Sequence, residues 1–147
     1  MTVTTRRATP ADAAAIAALN AEDLGYDHPV DTTADALADA LASPREVVLV
    51  AEVHGRVVGY VHGEDYRLLY EPLLVNVLGI AVSARRVGAG SALMAALEAW
   101  AVERGASGLR LVSGTARTEA HAFYERLGFT STKTQRNYRK PLAGWTP

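Results

Sequence analysis

The chain has 147 residues, 49% of them apolar, and no cysteine. That length suits one domain with a proper hydrophobic core, and the lack of cysteine excludes disulfides, thiolate metal sites and a cysteine nucleophile. Fifteen basic residues against 16 acidic ones leave a formal charge of −1, so no global basic field invites nucleic acid.

In chain order, Thr2 to Arg6 alternates like an edge strand. Thr9-Pro10-Ala11-Asp12 reads as a helix start, with Thr as cap, Pro in the first turn and Asp near the positive dipole end. Ala13, Ile16, Leu19 and Leu24 recur at near-helical spacing. The run Leu24-Gly25-Tyr26-Asp27-His28-Pro29 ends that helix. Thr32 or Thr33 caps a second helix through Leu41, stopped by Ser43-Pro44. Val47 to Val53 reads as a buried strand, His54-Gly55 as a hairpin turn and Arg56 to Val61 as the returning strand. The chain stays extended from His62 to Tyr70, and Glu71-Pro72 marks another turn. Val75 to Val82 is a strand. A long helix from Gly90 to Arg104 follows, closed by Gly105-Ala106-Ser107-Gly108. Leu109 to Val112 is a short strand and Thr118 to Leu127 a helix stopped by Gly128. Phe129 to about Lys140 reads as a final strand, and residues 141–147 as a loose tail. The order β-α-α-β-β-β-α-β-α-β describes an α/β fold: a mixed sheet with helices on its faces, in one domain over residues 1–140. The apolar runs are strand-sized or interrupted, so no transmembrane helix is expected. Met1 to Arg7 lacks the apolar core of a signal peptide, and a cytoplasmic location is expected. Four scattered histidines with no ligand spacing predict no metal site.

The stretch Arg85-Arg86-Val87-Gly88-Ala89-Gly90-Ser91 joins a strand to a helix. The first N–H groups of a helix have no partner inside it and carry the positive end of its dipole. They attract an anion such as a phosphate. Gly88 and Gly90 leave room for close approach, and Arg85 and Arg86 add fixed positive charge. A phosphate-bearing ligand and an ordinary tight turn both fit this stretch taken alone.

Three segments together resemble the GNAT superfamily of acetyl-CoA-dependent N-acetyltransferases over essentially the whole chain. Arg85-x-x-Gly88-x-Gly90 is similar to that family's glycine signature. Ala120-His121-Ala122-Phe123-Tyr124-Glu125-Arg126-Leu127-Gly128-Phe129 resembles its helix-to-strand junction. Val50-Ala51-Glu52 followed by Val58-Gly59 resembles its hairpin. Leu24-Gly25-Tyr26, Ser113-Gly114 and Arg117 resemble a small bacterial subgroup, and the Ala-rich, Arg-over-Lys composition fits a bacterial genome of high GC content. The resemblance implies a twisted, mostly antiparallel sheet whose central parallel strands, Val75–Val82 and Leu109–Val112, splay apart. The cleft between them would take the pantetheine arm of acetyl-CoA. Backbone groups near Ile80, Ala81 and Val82 would pair with that arm. The amides of Val87, Gly88, Ala89, Gly90 and Ser91 would hold the pyrophosphate, with Arg85, Arg86 and Arg117 as further CoA contacts.

Acetyl transfer to an amine requires a neutral amine, donors to the thioester oxygen and a proton for the departing thiolate. Only roughly one alkyl amine in a thousand is neutral at pH 7, so a base, a water chain or a desolvating site must remove its proton. With no cysteine, direct attack in a ternary complex is expected. The resemblance implies Tyr124 as the general acid and cofactor contact. Many relatives carry a glutamate base on the strand that here runs Val75 to Val82, which holds Asn76, Leu78 and Gly79 but no acid. Glu71, Glu64, His62, a residue near the first two helices or a held water remain open as the base. Tyr26, Asp27 and Asn76 are the acceptor-site candidates. His121 reads as structural. Homodimers are common in the family, and the polar segment Thr130 to Lys140 suits equally a dimer edge and a protected exposed edge. A CoA-binding regulator of the same fold without catalysis is the alternative.

Overall fold

The computed structural model describes residues 2–83 and 87–146. The chain divides into two compact units, Met1–Val112 and Ser113–Pro147.

Among the described residues, the first unit holds one five-stranded sheet in the order β1-β2-β3-β4-β5. Its strands are β1 (Thr4–Arg7), β2 (Glu46–Val53), β3 (Arg56–Tyr66), β4 (Leu74–Val82) and β5 (Leu109–Arg110). The first three pairings are antiparallel, and only β4 with β5 is parallel. The β2–β3 hairpin closes through His54 at φ 51° and Gly55 at φ 73°, the pair of left-handed residues that matches strand twist. β3 runs on to Tyr66, past the Val61 end expected for the returning strand, because Glu46 and Leu74 still offer it partners on both sides.

The helices of this unit cover both faces of the sheet. α1 (Ala13–Leu19) and α2 (Val30–Ala42) bury Ile16, Leu19 and Leu37 against Val48, Val50, Tyr60 and Ala81. α3 (Ala89–Glu103) buries Leu93 and Leu97 completely on the opposite face. Two glycines of β3 allow this close approach. A Cβ on Gly63 would lie 2.6 Å from Leu97 Cδ1, and one on Gly59 would lie 3.1 Å from Leu93 Cδ1. The far end of α3 is tied to the same strand, where Arg104 Nε donates to Asp65 Oδ1 at 2.6 Å and its guanidinium stacks over Trp100. The Arg104 guanidinium holds the Asp65 carboxyl below the usual range.

Helix starts differ from expectation for local reasons. Pro10 opens a short 3₁₀ turn, Pro10–Asp12, before α1. Asp12, 6% exposed, accepts the Thr9 N–H at 2.8 Å and a two-pronged contact from Arg6 at 2.8 and 2.9 Å. α2 begins at Val30, ahead of Thr32, because Pro29 at φ −56° and ψ 145° is the cap and needs no N–H partner. α1 does not end at its last regular turn. It widens into a π-helical turn, Asn20–Leu24, and stops at Gly25 with φ 77°.

In the second unit, α4 (Thr118–Arg126) ends near Gly128, whose φ is 95°. The final strand expected from Phe129 to Lys140 is not formed. A strand is stabilised by cross-strand partners and one apolar face. Residues 130–140 are exposed throughout, and polar apart from Tyr138, so this segment has no apolar face to bury.

The Arg6 guanidinium, and then the Thr9 amide, hold the Asp12 carboxyl below the usual carboxylate range. A depressed folded value stabilises the protein above the ordinary carboxylate pKa and is lost as pH falls through the folded one. Asp12→Asn should therefore lower stability at pH 7 by about 1–3 kcal/mol, toward the low end because Arg6 is partly solvated. Urea titrations at pH 7 and at pH 3 check this, and the gap between variant and wild type should shrink at the lower pH.

Candidate active site

β4 and β5 pair through only two positions, Val75 with Leu109 and Asn76 with Arg110. β4 then continues to Val82 while β5 ends at Arg110. On its other side β4 stays paired with β3 out to Val82. The Ser83 N–H donates to the Val58 carbonyl at 2.8 Å, which fixes the alternation along the strand. Ala81 is then bonded to Tyr60 across the ladder, whereas Ile80 and Val82 turn their backbone groups to the parted edge. The Val82 N–H confirms that direction: it donates to Asp23 Oδ2 at 2.9 Å. Of the three strand residues expected to face a pantetheine arm, two present backbone groups to this edge, and Ala81 spends its own on β3.

Between Asn76 and Ile80 the β3–β4 ladder slips. Gly63 pairs with Val77 and His62 with Gly79, so Leu78 has no opposite residue. Such a bulge frees backbone groups and re-aims side chains. Leu78 is accordingly 49% exposed, although it lies on a central strand.

The helix that follows starts beside the end of β4. Gly88 caps α3 at φ 83°, and its carbonyl accepts the Ala92 N–H at 3.0 Å. The amides of Ala89, Gly90 and Ser91 are thus the unpaired first turn of a 15-residue helix. Ala89 itself is buried, which anchors the turn. The remaining residues expected here, Arg85 and Arg86, lie outside the described residues.

Where β4 and β5 part, the sheet carries a row of polar side chains on the face opposite α3. Asn76, 9% exposed, donates from Nδ2 to Glu64 Oε2 at 3.1 Å and accepts from Arg110 Nη1 at 2.9 Å. The Arg110 guanidinium lies 4.3 Å from the Tyr66 ring centroid. His62 Nε2 meets Glu46 Oε1 at 2.8 Å on the β2 side. Further along this face, Tyr60 hydroxyl donates to Asn20 Oδ1, and burial together with the Asp23 charge raises its pKa.

The expected acceptor residues come from two elements. Asn76 lies in the sheet, whereas Tyr26 and Asp27 stand on the exposed segment after Gly25, Tyr26 being 61% exposed. Glu71 sits on the exposed turn between β3 and β4, whereas Glu64 and His62 lie within β3. Asp23 was not foreseen. It is one of several acids in a helical stretch, and only the π-helical turn brings it to the edge of β4.

In the second unit, Tyr124 packs between Phe123 and Phe129, with ring centroids 5.4 and 5.8 Å away. The Phe129 N–H closes onto the Tyr124 carbonyl at 3.0 Å. Arg117 occupies the cap of α4, with its side chain along Gly114. His121 Nε2 donates to the Gly114 carbonyl at 2.8 Å, so it ties α4 to the loop before it.

A parted parallel strand pair, a bulge on the longer strand and a glycine-capped helix start beside it form a frame for an extended, anion-tailed ligand. The chain belongs to the acetyltransferase (GNAT) family, whose model matches residues 13–129, and it is an acyltransferase. Among individual proteins it is 34% identical to an aminoglycoside N(6')-acetyltransferase type 1 from Stenotrophomonas maltophilia, covering 95% of this chain and 94% of that protein. A transcriptional regulator from Bacillus halodurans C-125 is 25% identical over 95% of this chain and all of that one, with a TM-score of 0.83. AAC(6')-Iy, solved in complex with a CoA-based bisubstrate analogue, shares the fold at a TM-score of 0.85 and 20% identity, over 97% of this chain and all of that one.

Gly88 lies in the left-handed region, where a Cβ is disfavoured by about 1–2 kcal/mol. Among the described residues, nothing lies within 4 Å of the position a Cβ would take, so the cost taken here is the conformational one. Gly88→Ala should lower stability by about 1 kcal/mol, read as a fall in melting temperature in calorimetry.

Proposed function

We propose that this protein transfers the acetyl group of acetyl-CoA to a primary amine of a small molecule, by direct attack in a ternary complex. The observation that carries this reading is the parted edge of β4, where Ile80 and Val82 turn their backbone groups outward and Asp23 takes the Val82 N–H, leading to the first turn of α3. An extended pantetheine arm can pair with such an edge as a further strand, and its pyrophosphate suits the amides of Val87 to Ser91. Arg85, Arg86 and Arg117 add positive charge for the cofactor phosphates. The bulge at Leu78 offers freed backbone donors for the oxygen of the tetrahedral intermediate.

Tyr124 is assigned the proton donor to the departing thiolate, on the resemblance of the segment Ala120 to Phe129. Asn76, with Tyr26 and Asp27, is assigned to the acceptor. Full-length similarity to an aminoglycoside N(6')-acetyltransferase makes amine-rich aminoglycosides the first acceptors to test.

Calorimetric titration with acetyl-CoA, followed by a thiol-release assay over a panel of amines, tests the reading. Saturable binding and amine-dependent release are expected, and absence of binding overturns the cofactor assignment. Tyr124→Phe should bind acetyl-CoA as wild type does while thiol release falls by about 10²-fold. Wild-type turnover in that variant overturns the role of the tyrosine.

A further inference from the structure

β4 holds no acid where it parts from β5. The residue there is Asn76, and an amide accepts no proton at neutral pH. Its orientation is nevertheless fixed. Arg110 can only donate and the Glu64 carboxylate can only accept, so Oδ1 faces β5 and Nδ2 faces β3. Asn76 thereby grips Glu64 Oε2 at 3.1 Å, directly across from the last rung of the parallel ladder. Glu64 is half-buried, and a carboxylate with one such donor keeps capacity for others. The other titratable and charged groups on this part of the face are Glu46, His62, Tyr66 and Arg110. His62 is engaged by Glu46 on β2, away from the parted edge. Arg110 is always charged and stacks on Tyr66. Glu64 is the carboxylate set across from the last rung of the parallel ladder, whereas the Asp23 carboxylate lies further along the parted edge, on the Val82 N–H.

We infer that Glu64 binds the incoming ammonium and accepts its proton, with Asn76 as the positioning residue that holds the carboxylate over the site. The inference rests on the acetyltransferase reading above. Two protons leave the nitrogen. One passes through Glu64 to solvent, and the other makes good the proton that Tyr124 gives the thiolate. The N–C bond forms as the C–S bond breaks, so an ammonium and acetyl-CoA yield the amide, CoA thiol and one proton. The chemistry that Glu64 recognises is a cationic alkyl amine, through a charge-assisted hydrogen bond.

The test compares two acceptors in thiol release: an aminoglycoside, protonated at pH 7, and an aryl amine already neutral there. In Glu64→Gln the carbonyl oxygen still accepts from Asn76, so the fold should be kept, which thermal melting checks. The expected result is a loss of about 10²-fold in kcat/KM for the aminoglycoside and less than about threefold for the neutral amine. The aminoglycoside rate should partly recover as pH rises and free amine replaces ammonium. Asn76→Ala, which keeps the carboxylate but removes its holder, should show the same selective loss at about tenfold. Equal losses on both amines indicate a structural role and overturn the inference. Glu64→Gln turnover equal to wild type on the aminoglycoside overturns it while leaving the transferase reading intact. Wild-type protein that releases thiol with no amine overturns both.

Discussion

The first unit is organised around a broken ladder. Backbone N–H and C=O groups away from water need partners, and β4 loses its own on one side after Asn76. An unmet edge on a central strand is normally a liability. Here the surrounding elements make it a defined cleft wall. β3 holds the strand from the other side out to Val82, and the bulge at Leu78 shifts the alternation so that Ile80 and Val82 turn outward. The Asp23 carboxylate already engages one of these groups, the Val82 N–H.

The polar row follows from the same arrangement. Residues at successive cross-strand positions of β3, β4 and β5 share a face, so Glu64, Asn76 and Arg110 meet although they lie far apart in sequence. Asn76 separates a carboxylate from a guanidinium and bonds to both. Burial of such a group is tolerable because both ends of its amide are satisfied.

Much of the fold was legible in local chemistry. The His54-Gly55 turn, the apolar run before the glycine stretch and the long helix after it all follow from period and turn residues. The π-helical turn was not legible, because Asn20 to Leu24 carries no signal distinguishing it from an ordinary last helical turn. The absent final strand was misread because β-prone threonines and a tyrosine between Phe129 and Lys140 imitate a strand. Pairing and burial decide strands, and propensity alone does not supply them. Within the site, the glycine-capped helix start and the strand before it were readable. The grip of Asn76 on Glu64 was not, since it depends on the register of three strands and on a one-residue slip between two of them.

α3 is seated by leucines over Gly59 and Gly63 and tied by Arg104 to Asp65 at its far end. All three attachments lie on β3, the neighbour of the strand that bears the open edge. Translation or rotation of the helix would disturb each of them at once. Its first-turn amides therefore keep a set distance from the β4 edge before any ligand arrives. A molecule spanning both meets donors that need little ordering, so less of its interaction free energy is lost to fixing the protein.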